Sequence, residues 1–139
     1  MSEESLQSLI ETATEVRLQS LAPFSNFLVG AAVRAENGKV YTGCNIESAS
    51  YGLTVCAERV AIWKALSEGE RQFTELAVVA DTESLTPPCG TCRQIIWEFA
   101  KHATIVLANL RGQREIVSIT DLLPRAFDAR FLKEVMGQK

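Results

Sequence analysis

Three cysteines at two separated points of the chain constrain its fold more than any other feature. Cys56 is followed by Ala57, Glu58 and Arg59, while Cys89 and Cys92 lie in the run Pro88-Cys89-Gly90-Thr91-Cys92-Arg93-Gln94. Thiolates suit zinc, which takes four donors around a tetrahedron, so one shared ion would require the fold to gather two distant stretches within a few ångströms. Three side-chain ligands leave a corner for water, whose pKa the metal lowers to about 7. Glu58 would stand beside that corner as a carboxylate able to take a proton from the water and return it to a leaving group.

Two plainer readings compete. Cys89-Gly90-Thr91-Cys92 opening a helix has the form of a thiol-disulfide oxidoreductase pair, although such a pair needs neither a third cysteine nor Glu58. A structural zinc site would want a fourth ligand, for which Cys44 and His102 are the candidates. Cys44 falls on a strand, where a free cysteine packs as a small hydrophobe, and His102 follows a helix as a partner for its C-terminal dipole.

Apolar spacing places these residues on elements. Leu6, Leu9, Ile10, Ala13 and Val16 recur at helical period over 5–21, and Pro23 closes the helix. A strand is expected over 27–34, thinned by Gly30, Ala31 and Ala32, then an Asn37-Gly38 hairpin and a returning strand over 40–46. After a polar loop, Cys56 opens a helix that ends near Gly69, and 76–80 is a short apolar run of the kind buried on both faces. Further elements are a helix over 89–100, strands over 103–108 and 115–119, and a short helix in the tail from Arg125. The order predicts an α/β fold in three layers, α/β/α, around a mixed sheet of five strands. Both cysteine groups then sit at strand-to-helix junctions on one edge of the sheet, where open α/β sheets bind ligands.

The chain has 139 residues, 47% apolar and 22% charged, enough for one domain over 1–139 that needs no disulfide to fold. A net charge of −3 without a Lys/Arg cluster argues against nucleic acid as a partner. The acidic, polar start resembles no signal peptide, and no apolar run reaches the twenty or so residues of a membrane span, so the chain is read as cytoplasmic. There, four cysteines serve metal or redox chemistry rather than structural disulfides.

Three thiolates on one zinc carry a net negative charge, which makes the metal a poor Lewis acid unless something offsets it. Two helix N-termini would do so in part. Arg59, at i+3 from Cys56, shares its face and can donate to the thiolate directly.

Cys56-Ala57-Glu58-Arg59 with the run from Pro88 to Gln94 resembles the zinc-dependent cytidine deaminases, in particular their small, homotetrameric, three-cysteine class. The resemblance extends from about Pro23 to Phe127 and takes in Phe27-Leu28-Val29-Gly30-Ala31-Ala32, Gly43-Cys44-Asn45-Ile46-Glu47, Ala49-Ser50-Tyr51-Gly52, Ser67-Glu68-Gly69 and Leu122-Leu123-Pro124. It implies hydrolytic deamination of cytidine and 2′-deoxycytidine in pyrimidine salvage, with one zinc per chain. By the same resemblance Asn45 and Glu47 hold the ribose 3′-hydroxyl, Phe27 packs on the nucleoside, the amide of Ala57 binds the base carbonyl, and Glu58 shuttles protons. Phe127 would reach the pyrimidine bound by a neighbouring subunit, so that sites are shared across a homotetramer.

Some positions depart from that pattern. Phe24 stands where tyrosine is common, Pro87 where serine is, and Thr91 where alanine is. Trp63 and Trp97 occupy helix positions that are often smaller or polar, and Phe131 falls where the tail is usually acidic. Packing or a subunit interface is the expected use of the two tryptophans, and the departures admit cytidines substituted on the ring or the amino nitrogen as substrates. Deamination of the antibiotic blasticidin S is the alternative within the same chemistry. Its deaminases share Cys-Ala-Glu and the Pro-Cys-Gly-x-Cys-Arg-Gln run but lack the Asn45-x-Glu47 pair.

Overall fold

The computed structural model describes residues 2–137. Helix α1 (Glu3–Val16) is capped by the hydroxyl of Ser2, which accepts the amide of Ser5, and a single tighter turn extends it to Gln19. Strands β1 (Val29–Ala35) and β2 (Val40–Cys44) form the expected hairpin, with Gly38 at φ +90° in its turn. Helix α2 (Ala57–Ser67) ends at Gly69, whose φ of +98° suits a residue without a Cβ. Then follow β3 (Phe73–Ala80), α3 (Gly90–Ala100), β4 (Thr104–Ala108), β5 (Arg114–Val117), α4 (Ile119–Leu122) and α5 (Ala129–Val135).

Among the described residues the five strands form one sheet in the order β2-β1-β3-β4-β5. β1 runs antiparallel to both β2 and β3, β3 and β4 are parallel, and β5 is antiparallel to β4. The two-residue period of the strands divides the core into two halves. Val29, Ala31, Val33, Leu76, Val78, Ile105 and Leu107 face Ala57, Ala61, Ile62 and Ala65 of α2 and Ile96 and Ala100 of α3. Ala32, Ala77, Val79, Val106 and Ala108 face Leu6, Leu9, Ile10 and Ala13 of α1. The predicted three-layer α/β/α arrangement with a mixed five-stranded sheet is therefore what forms.

Small residues let the helices come close. A Cβ on Gly30 would lie 1.9 Å from the carbonyl oxygen of Ala13, so glycine is what allows α1 to seat on β1.

Most element boundaries shift by a few residues from expectation, and two of the shifts have a specific cause. β3 starts at Phe73 rather than 76 because Glu75, which reads as a solvated charge, is 3% exposed and paired with Arg34 at 2.6 Å. Ser5 also donates to that carboxylate at 3.1 Å, while Arg34 donates to the backbone carbonyl of Ser5 at 3.0 Å. At the other end β5 stops at Val117. The hydroxyl of Ser118 accepts the amide of Asp121 and caps α4, so Ile119 begins a helical turn instead of ending a strand.

Candidate metal centre and adjoining cavity

Because β2 and β3 both run antiparallel to β1, their C-terminal ends share one edge of the sheet. There the two helices carrying the cysteines begin. Cys56 is the N-cap residue of α2 and Cys89 that of α3, with Cys92 in the first turn of α3. Neither cap sulfur hydrogen-bonds to its own helix backbone, which leaves both free to face a common centre.

The three sulfurs lie within 4.8 Å of one another, and those of Cys56 and Cys89 are 3.7 Å apart. Sulfurs bound at about 2.3 Å to a tetrahedral zinc stand about 3.8 Å apart, so the cluster is close to the size the ion requires. The donor set fits too, being three soft ligands at two helix N-termini. Cys44 and His102 are not members of the group, which leaves three protein ligands among the described residues.

A hydrogen bond from Cys92 pulls the Cys56 thiol down to about 5 against the effect of burial, helped by Arg59 and Cys89. Cys92 moves the other way, raised by that same hydrogen bond and by burial. Arg59 donates through Nη2 to Cys56 Sγ at 3.6 Å, as the i+3 spacing requires, and to the carbonyl of Thr54 at 3.4 Å. Glu58 is 4% exposed. Burial pushes its carboxyl up to about 7, and the negative sulfur of Cys56 adds to the push while its own backbone amide and Arg59 oppose it.

From this centre a cavity of about 240 Å³ runs toward β1 and β2. Cys56, Ala57, Glu58 and Cys89 line it beside the sulfur cluster, Ser25, Asn45 and Glu47 supply further polar groups, and Phe27, Val55, Val78 and Pro87 supply apolar ones. Asn45 Oδ1 accepts the amide of Val29 at 2.9 Å and its Nδ2 donates to the carbonyl of Phe27 at 2.7 Å. A carboxamide has two donors and two lone pairs, so one of each remains for a ligand. Glu47 accepts the amides of Phe24 at 2.9 Å and Ser25 at 3.1 Å, and also the hydroxyl of Ser25. It is a tie for the 24–27 turn rather than a merely solvated charge.

Seven of the residues singled out in the sequence thus meet around one cavity: Phe27, Asn45, Glu47, Cys56, Ala57, Glu58 and Cys89. Cys92 joins through the sulfur cluster and Arg59 through Cys56. Phe127 does not line this cavity. Its ring is 55% exposed and stacks on Phe131 at 5.8 Å, and its carbonyl accepts Gln94 Nε2 at 2.8 Å.

Two supporting residues escaped sequence reasoning. Gly43 lets α2 seat on β2, for which Gly-Cys-Asn carries no local signal. Arg93 donates to the carbonyl of Pro88 at 2.8 Å and to that of Leu122 at 2.8 Å, fixing the backbone from which Cys89 projects. Its place directly after Cys92 was the available clue.

Three thiols without a fourth ligand, next to a buried carboxylate at one end of a largely apolar cavity, are the equipment of a metal-dependent hydrolytic enzyme. The sequence model described as "Cytidine and deoxycytidylate deaminase zinc-binding region" matches residues 3–108. A cytidine deaminase of Sporosarcina psychrophila is 49% identical over 134 residues, covering 96% of this chain and 98% of that protein. One of Halalkalibacterium halodurans is 46% identical, with 92% and 98% covered. The crystal structure of cytidine deaminase from Burkholderia pseudomallei superposes with a TM-score of 0.86 at 45% identity, over 91% of this chain and all of that one. The chain belongs to the cytidine and deoxycytidylate deaminase family and is a hydrolytic deaminase. No helix among the described residues is long and apolar enough to cross a membrane.

Proposed function

We propose that this chain, as one catalytic domain spanning 1–139, converts cytidine and 2′-deoxycytidine to the corresponding uridines with release of ammonia. The observation that carries the reading is the single cavity that joins a three-sulfur centre and a buried carboxylate at one end to an amide-carboxylate pair at the other. Cytidine has matching ends, an amino-bearing ring carbon and a ribose rich in hydroxyls.

Cys56, Cys89 and Cys92 would hold one zinc ion, which supplies a Lewis acid that makes water nucleophilic near neutral pH. Glu58 would take one proton from the attacking water and pass it to ring N3 as the C–O bond forms. It would then take the remaining proton from the new hydroxyl and deliver it to the amino nitrogen, which departs as ammonia when the C–N bond breaks. Burial suits the carboxyl to both tasks, because a group titrating near 7 gives and takes protons at neutral pH. The amide of Ala57, at the first turn of α2 where backbone donors have no helical partner, binds the base carbonyl. Phe27 packs against the nucleoside, and Asn45 and Glu47 take the ribose 3′-hydroxyl with the valences left over from bracing the 24–29 segment. Arg59 offsets the negative charge of the sulfurs.

We place the reaction in the cytoplasm, in pyrimidine salvage, with sites completed across a homotetramer. In that assembly the exposed ring of Phe127 reaches the pyrimidine bound by a neighbouring copy. Substituted cytidines fall within the proposed scope, since Pro87, which stands where serine is common, lines the cavity together with Cys89.

A substrate panel tests the reading. Cytidine, 2′-deoxycytidine, cytidines substituted on the ring or amino nitrogen, free cytosine and blasticidin S are each incubated with the enzyme and with Glu58→Gln, and ammonia is measured. Both unsubstituted nucleosides should react and free cytosine should lag far behind. Reaction with cytosine alone would rule out the ribose contacts, and reaction with blasticidin S alone would move the chain to the antibiotic deaminases.

A further inference from the structure

Arg59 is held loosely for a residue that faces the metal centre. Its bonds to Cys56 Sγ at 3.6 Å and to the Thr54 carbonyl at 3.4 Å are long, and both use the same nitrogen, Nη2. Its Nε is buried without a hydrogen-bond partner. No carboxylate pairs with it among the described residues. A planar guanidinium held by long bonds to soft sulfurs and one carbonyl is free to tilt, and a contact on its face limits that tilt.

A further contact, besides the sulfurs of Cys56 and Cys92, is an aromatic face. Arg59 Cζ lies 5.7 Å from the centroid of the Trp63 ring, within the range of a cation–π interaction. Helix geometry explains the pairing: side chains lean toward the N-terminus and cover the turn before their own Cα. Trp63, at i+4, therefore leans over Arg59, and Arg59, at i+3, leans over Cys56. The only other cation beside Trp63 in sequence, Lys64, is directed elsewhere and donates to Thr42 Oγ1 at 3.3 Å.

We propose that Trp63 is a positioning residue for the metal centre, its indole face holding the guanidinium of Arg59 against the sulfur of Cys56. It touches neither metal nor substrate. Its influence passes through Arg59, whose fixed charge lowers the cost of gathering three thiolates on one ion and so slows the loss of that ion. The inference rests on the assignment of Cys56, Cys89 and Cys92 as zinc ligands.

Zinc transfer to a chromogenic chelator reads this out without reference to turnover. Trp63→Leu keeps apolar bulk and removes the aromatic face, and Trp63→Phe restores a ring. From the usual strength of a partly exposed cation–π pair, Trp63→Leu should release zinc roughly two- to fivefold faster than wild type, with Trp63→Phe in between. In an Arg59→Ala background, itself faster than wild type, Trp63→Leu should add nothing, because the ring then has no guanidinium to hold.

Wild-type release from Trp63→Leu, or the same acceleration with and without Arg59, would overturn the proposal while leaving the ligand assignment intact. Failure of Trp63→Phe to slow release relative to Trp63→Leu would assign the effect to packing and overturn it as well. A wild-type chain that binds no zinc would remove the ligand assignment, and this inference with it.

Discussion

Gly43 of β2 lies directly beneath the backbone of Ala57 in α2: a Cβ on Gly43 would stand 2.3 Å from the Ala57 carbonyl oxygen and 2.5 Å from the Ala61 amide nitrogen. The N-terminal turn of α2 carries Cys56, Ala57, Glu58 and Arg59, so this contact sets the height of the whole catalytic turn above the sheet. Neither obstructing atom belongs to a flexible side chain, and relief requires α2 itself to move. Gly43→Ala should therefore destabilise the protein by about 1–3 kcal/mol and lower kcat further than that loss explains. Denaturant melts and steady-state kinetics on the folded fraction would measure the two effects, and an unaltered melt with unaltered kcat would show that α2 can shift freely.

The contrast between Gly43 and the cysteines shows what a sequence exposes. Cys56, Cys89 and Cys92 were legible because ligand chemistry constrains residue type and number whatever the fold. The 76–80 strand was legible because burial on both faces demands an unbroken apolar run. Gly43 was not, since its need for a missing Cβ arises only once α2 lies on β2. Glu75 misled for the same reason: its partner Arg34 arrives from another strand, so the start of β3 looked like a charged boundary. Phe27, Asn45 and Glu47 were reached through family resemblance, and their bracing of the 24–29 segment became visible only in three dimensions.

Glu58 combines near-complete burial with a titration pushed up to about 7. Holding such a group ready to ionise opposes folding, because burial penalises its charged form. Glu58→Gln keeps the shape and discards the charge. It should lower kcat by a factor of about 10²–10⁴, retain zinc, and melt no lower than wild type. Kinetics, metal analysis and calorimetry together check this. Wild-type turnover at full zinc occupancy would exclude Glu58 as the proton carrier.

Glu47 is held below the usual carboxylate range chiefly by the hydroxyl of Ser25, with the amides of Phe24 and Ser25 acting in the same direction against desolvation. A depressed carboxylate stabilises the fold above its unfolded pKa of about 4.3, and that contribution is lost as pH falls through the lower folded value. The 24–27 turn should thus stay tied through the neutral and mildly acidic range and loosen only in stronger acid. Ser25→Ala removes the largest cause and should move the Glu47 titration upward in carbon-detected NMR. An unmoved titration would show that the backbone amides suffice.

Asn45 serves structure and ligand at once. It is 8% exposed, and deleting its carboxamide would leave the amide of Val29 and the carbonyl of Phe27 without their partner at the entry to β1. Asn45→Ala should cost about 1–3 kcal/mol of stability for the unpaired groups and raise KM for cytidine. Asn45→Asp retains the acceptor for Val29 but loses the donor to Phe27, so it should fall between the two in stability. A KM that rises while stability holds would reassign the residue to the ligand alone.

Metal removal tests the centre as a whole. The three sulfurs lie within 4.8 Å of one another, and Cys92 and Arg59 favour the thiolate of Cys56. A cation that binds only the folded arrangement stabilises it by mass action, worth about 4 kcal/mol when free metal exceeds Kd a thousandfold. Chelation should accordingly lower Tm by on the order of 10 °C, and one equivalent of zinc per chain should restore both Tm and activity. Cys92→Ser, which replaces a fully buried soft donor with a hard one, should bind zinc more weakly and abolish most of that recovery. Equal melting temperatures for the zinc-loaded and chelated forms would mean that the three cysteines converge without holding a metal, and the hydrolytic assignment of the site would then need another source of activated water.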